Sequence, residues 1–255
     1  MEGLNLPQKE NFQDISTFSF NRLIRYLNNV LRMGRIVQGM LYKFGDAYIE
    51  RKIDLSKEII QQDDRIDLME ADLEYESIVL LSSYNFTGIY LKSCFIGSRL
   101  IQRFENMADL IEKNSKLNID IMNNPYVINT ANFEDVMEIT KEIFSYALLM
   151  LSDFINIEAK KLKTKETEDN FFKKAKNICI ANKEIDSLIK AYKSYLYKFK
   201  ENFKVISFHL EILNNIETFS DLTTNLSEDI IWALTGDLFK CRDNEMELFY
   251  SLGEE

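Results

Sequence analysis

The chain is 255 residues long, enough for one large domain or two modest ones with a real core. Two prolines and eight glycines are too few for a β-sandwich or a wound α/β sheet, so the expected fold class is all-α. A formal net charge of −10 argues against a general nucleic-acid binder.

The opening residues, M-E-G-L-N-L-P-Q-K-E, lack a basic region followed by an apolar one, and residues 1–17 read as a flexible N-terminal arm. From Leu23 the spacing becomes strict. Leu23, Leu27, Val30, Gly34, Val37, Leu41, Phe44 and Tyr48 alternate steps of four and three, the seam of one long helix. Gly34 on that seam predicts a close helix–helix approach. A second helix is expected from about Leu55, with Asp54 as its N-cap and Leu55, Ile59, Ile66, Met69, Leu73 and Leu80 on its buried face. The least charged stretch, Ser77–Leu91, is broken by polar residues and too short to span a bilayer. Ser82–Asn85 reads as a turn, and a third helix follows from about Phe86 to Leu117.

Residues 118–132 hold Pro125 and five asparagines and mark the best internal boundary. Three more helices are expected: about Phe133–Lys161, about Phe171–Lys200 after a polar loop at Thr164–Asn170, and about Phe203–Leu234. The plan is therefore six long helices in two antiparallel three-helix bundles, residues 18–117 and 133–238, related as copies of one unit. Residues 239–255 form a C-terminal tail whose apolar run, Met246–Leu252, has no assigned element. Cys94, Cys179 and Cys241 are far apart and unpatterned, as in a reduced cytoplasmic protein with incidental thiols.

The repeat is visible in the acids. The second helix carries D-D-R-I-D (Asp63–Asp67) and the third E-N-M-A-D (Glu105–Asp109). The fifth carries N-K-E-I-D (Asn182–Asp186) and the sixth E-T-F-S-D (Glu217–Asp221). Residues four apart project from one side of a helix. Asp63, Asp67, Glu105 and Asp109 can thus face one another across two helices, whereas Asn182 leaves Asp186, Glu217 and Asp221 as a set of three. Clustered carboxylates repel unless protonated or holding a cation, and an all-oxygen set suits Mg²⁺, Mn²⁺, Ca²⁺ or iron. The competing reading is a solvated acidic surface. A ferritin-like di-iron site needs Glu-x-x-His, but the single histidine, His209, follows Ile206 by three, and it reads as a surface or boundary residue. Trp232 reads as core or bundle cap. No phosphate-loop, dinucleotide or nucleophile-elbow motif is present, so no catalytic residue is assigned. Between Glu158 and Lys204 thirteen lysines face seven acids. That run is either a solvated face or, in an alternative reading of the chain as a metal-free structural adaptor, a dock for a partner or acidic membrane.

The stretch E-T-F-S-D-L-T-T-N-L-S-E-D-I-I-W-A-L-T-G, Glu217–Gly236, resembles the signature that ends the PhoU proteins, regulators of bacterial phosphate transport. D-D-R-I-D-L-M-E-A-D-L-E (Asp63–Glu74), E-N-M-A-D and Met33-Gly34 are similar to that family's motifs on its second, third and first helices. The chain departs from the pattern at Asn106 and Thr218, where the family has arginine. The resemblance covers about residues 20–238. It implies two pseudo-symmetric three-helix bundles, metal (Mg, Mn or Fe) on the acid steps, and a non-enzymatic cytoplasmic protein. It also implies a homodimer that restrains the high-affinity importer through its ATPase and a sensor histidine kinase, with peripheral membrane association at most.

Overall fold

Heptad spacing does build the first helix, which also reaches back into the stretch expected as an arm. In the computed structural model, which describes residues 9–129, 131–160, 164–242 and 245–251, α1 spans Lys9–Ile49. The first eight residues of the expected arm lie outside the described residues. Leu23, Leu27, Val30, Val37, Leu41, Phe44 and Tyr48 are all buried. A Cβ on Gly34 would come 2.6 Å from Phe104 Cζ and 2.7 Å from Leu148 Cδ2, so α1 meets two other helices at that point.

The remaining helices are α2 (Ile53–Ser83), α3 (Gly88–Met122), α4 (Ala131–Lys160), α5 (Lys165–Leu196) and α6 (Phe203–Thr235). Four termini differ from expectation, and the first is the end of α3, which runs to Met122, five residues past Leu117 and into the expected boundary segment. The N-cap position of α2 is Lys52, while Asp54 lies inside the first turn, where its charge favours the positive helix end. The polar stretch 164–170 is not a loop. Thr164 and Thr167 form a reciprocal capping box that starts α5 there, with a threonine where the usual signature has Glu or Gln. α5 stops at Leu196, and α6 stops at Gly236, whose φ of +89° and N–H bond to the Trp232 carbonyl (2.8 Å) close the helix.

Helices α1–α3 pack as one antiparallel bundle and α4–α6 as another. α1 lies against α4 and α3 against α6, which merges both interiors into one continuous apolar core. Polar bonds fix the α3–α6 register. Arg103 and Arg99 donate to the buried Asp229 carboxylate at 2.7 and 2.9 Å, and Asn215 donates to Asn114 at 2.7 Å.

The C-terminal segment is an antiparallel hairpin, β1 (Leu238–Arg242) with β2 (Glu245–Tyr250), laid against α6 and α5. Cys179 on α5 is disulfide-bonded to Cys241 on β1, so the expectation of incidental thiols is corrected for these two; Cys94 is free and buried. The pairing was hidden because it depends on a hairpin that the sequence pattern did not resolve. The buried Glu228 carboxylate holds the same strand, accepting from the Cys241 N–H (2.8 Å) and from Lys240. Phe172 meets Phe239 edge-on at 5.1 Å. Among the described residues no helix is long and apolar enough to cross a membrane.

His209 is also corrected. It is 1% exposed, not at the surface, and its Nδ1 is hydrogen-bonded to the Tyr48 hydroxyl. Burial pulls its pKa down to about 4, with Arg51 adding to the shift, so the ring is neutral in the core. Trp232 is half-buried against Phe95, ring centroids 5.8 Å apart.

A candidate metal-binding acidic face

Two polar rungs set the antiparallel pairing of α2 with α3: Asn118 donates to Ser56 (3.1 Å) at one end, and Gln102 to Glu74 (3.1 Å) at the other. Between these rungs α2 presents Asp63, Asp67 and Glu70, and α3 presents Glu105, Asp109 and Glu112. Only two lysines answer the six acids within that span. Lys113 binds Asp109 (2.9 Å) and Lys116 binds Glu112 (2.6 Å), each one turn along the same helix.

Asp63 is the member under most stress. Its side chain is 9% exposed, and Oδ1 is buried with no hydrogen-bond partner. Burial, followed by the charges of Glu112, Asp67, Asp109 and Glu105, pushes its carboxyl up to about 7. Glu105 is raised by burial and then by Asp109, Glu70 and Asp67, and Glu70 by burial and then by Glu74, Asp67 and Asp109. The four residues singled out from the sequence thus share one electrostatic field. Two further members, Glu70 and Glu112, belong to the same field. Their signal was a heptad step, since Glu70 lies seven beyond Asp63 and Glu112 seven beyond Glu105.

The carboxylates meet as a field and not as a finished coordination shell. Among the described residues no three Asp, Glu, His or Cys side chains converge tightly enough to hold an ion as they stand. The donor chemistry nonetheless suits a hard cation, because an orphaned, buried carboxylate oxygen gains a partner when one enters.

The second bundle resolves the same problem internally. The Asn182 amide donates to Asp221 (3.0 Å), while its carbonyl accepts from the Ser220 hydroxyl. Lys193 binds Glu217 at 2.6 Å, and Lys183 binds Asp186 at 3.3 Å. Asp186 and Glu217 line one hollow together with Lys190 and Lys193. The structure therefore gathers all three acids near one another but supplies an amide and lysines where the first bundle has further carboxylates. Each acid of that set already has a lysine or amide partner.

A family model for the PhoU domain matches residues 30–117, the segment holding the acidic face. The chain is 24% identical over 242 residues to the phosphate-specific transport system accessory protein PhoU homolog 2 of Thermotoga maritima, covering 91% of this chain and 96% of that protein. It is 25% identical over 147 residues to the Aquifex aeolicus PhoU homolog, covering 58% of this chain and 66% of that one. Among solved structures, PhoU from Pseudomonas aeruginosa has a TM-score of 0.68 at 17% identity, over 85% of this chain and 98% of that one. The PhoU regulatory protein of Streptococcus pneumoniae scores 0.66 at 19% identity, over 87% and 99%. These structures share the six-helix bundle fold.

Proposed function

From a chain that carries a PhoU domain, and whose relatives and structural neighbours are PhoU proteins, we propose a non-enzymatic accessory regulator of a phosphate transport system. It acts in the cytoplasm as a negative regulator, through contacts with the importer's ATPase and, where one exists, a sensor histidine kinase, and it works as a homodimer. The matched domain and the near full-length similarity to transport accessory proteins support this reading. Co-purification tests it. The tagged protein should recover the phosphate-transporter ATPase from its own cells, and its deletion should raise phosphate uptake under phosphate-replete growth. Unchanged uptake with no ATPase recovered contradicts it.

The acidic face of the first bundle is proposed as this regulator's metal site. Asp63, Asp67, Glu105 and Asp109 would hold Mg²⁺, Mn²⁺ or iron, with Glu70 and Glu112 beside them. One observation carries the reading: the partnerless buried oxygen of Asp63 among like charges. A bound cation would supply charge neutralisation, joining α2 to α3 where their carboxylates now repel. The residues do the rest, Asp63 from the interior and Asp67 from the exposed side. Asp186, Glu217 and Asp221 are left out of the proposed site because Asn182, Lys183 and Lys193 already satisfy them.

A further inference from the structure

The turn between α5 and α6 runs Y-K-F-K-E-N-F-K, Tyr197–Lys204, with three lysines to one acid in a chain of net charge −10. Tyr197 is 69% exposed and Phe203 74%. Lys198, Lys200 and Lys204 are exposed, and among the described residues none joins an ion pair; Lys204 lies 5.6 Å from the Phe208 ring centroid. The turn is not loose. Asn202, at φ +57°, donates to Asn124 Oδ1 (3.0 Å), which also accepts the Tyr126 N–H (3.0 Å). That pair of bonds ties the turn to the α3–α4 linker, where Val127 is 62% exposed. One end of the molecule therefore presents apolar side chains from two joined loops, flanked by unpaired lysines.

A single exposed aromatic residue needs no explanation. Here two flank a fixed turn, and the three lysines around them outnumber its single acid, Glu201. Aromatic tips beside cations suit a bilayer interface, where rings settle at headgroup level and lysines meet anionic lipid. Screening beyond roughly 10 Å lets this local excess of positive charge act despite the acidic remainder. We propose that the α5–α6 turn docks on an anionic bilayer surface, with Tyr197 and Phe203 entering the headgroup layer and Lys198, Lys200 and Lys204 binding lipid phosphates. This contact is independent of the metal site and of the importer, so it stands or falls apart from both.

Flotation with vesicles of phosphatidylglycerol mixed equally with phosphatidylcholine tests it. The full chain should bind these roughly tenfold better than pure phosphatidylcholine, with the difference lost in high salt. Both Lys198→Glu/Lys200→Glu/Lys204→Glu and Tyr197→Ser/Phe203→Ser should abolish flotation, while Lys173→Glu/Lys183→Glu on the same helix should not. Helical circular dichroism checks folding. A second reading needs no loss of binding: Phe203→Trp in a Trp232→Phe background should show a blue-shifted emission on anionic vesicles. Equal binding to both vesicle types, binding unaffected by either turn variant, or no blue shift overturns the proposal. Loss with the lysine variant but not the aromatic one also overturns it, since the rings then take no part in holding the lipid surface.

Discussion

Asp63 and His209 are buried with opposite consequences for pH. Asp63 titrates near 7 in the fold against an ordinary 3.8, so the native state holds a proton that the unfolded chain has lost. Stability contributed by this group is full below pH 4 and falls as pH rises to 7, by about 4 kcal/mol. His209 is lowered from 6.5 to about 4, so the unfolded chain takes up its proton first. Its contribution is full above 6.5 and falls as pH drops toward 4, by about 3 kcal/mol. In metal-free protein the two slopes oppose each other between pH 4 and 6.5. Asp63→Asn should therefore unmask the histidine slope: urea midpoints of this variant should drop on acidification from pH 6.5 to 4.5 more steeply than wild type. Parallel pH profiles would contradict the assignment. His209 was legible in principle. Ile206, His209, Leu213 and Ile216 follow the same three-and-four spacing as the apolar seam, and that spacing outweighed the residue's polarity.

At the scale of elements, the join between α3 and α6 depends on Asp229. Its carboxylate is 4% exposed and carries both Arg99 and Arg103 from the other bundle. Removing one partner of a buried ion pair leaves the others desolvated and uncompensated, so Asp229→Ala should lower unfolding stability by about 3 kcal/mol in urea. Arg99→Ala, at the more exposed end of the bridge, should cost under about 1 kcal/mol. Equal effects from both would show that the bridge does not hold the bundles together. The helices themselves were legible, because apolar spacing over thirty residues admits few alternatives. Their caps were less so. Thr164 and Thr167 make a capping box without the acidic residue that advertises one, and Lys52 occupies a cap position where its side chain makes no capping bond. The hairpin escaped notice for a different reason. Its strands are five and six residues long, and its hold on the bundle comes from tertiary contacts, Glu228 with β1 and Cys179 with Cys241, that no local pattern encodes.

Over the whole molecule, two bundles of one plan treat their acid steps differently. The sequence exposed half of that contrast, in the substitution at Asn182. The lysines that complete it, Lys183 and Lys193, were part of a basic run whose individual partners appear only once α5 and α6 are packed. The α2–α3 face of the first bundle sets six acids against two lysines and leaves Asp63 unanswered. If that difference governs metal binding, the repeats should separate in a single measurement: metal content of protein purified without chelator and loaded with Mn²⁺ or Fe²⁺ before desalting. Wild type and Glu217→Gln/Asp221→Asn should retain the same amount, while Asp67→Ala/Asp109→Ala should lose at least about 90% of it, each carboxylate ligand being costly to replace. Equal metal in all three proteins, or loss confined to the second-bundle variant, would contradict the account.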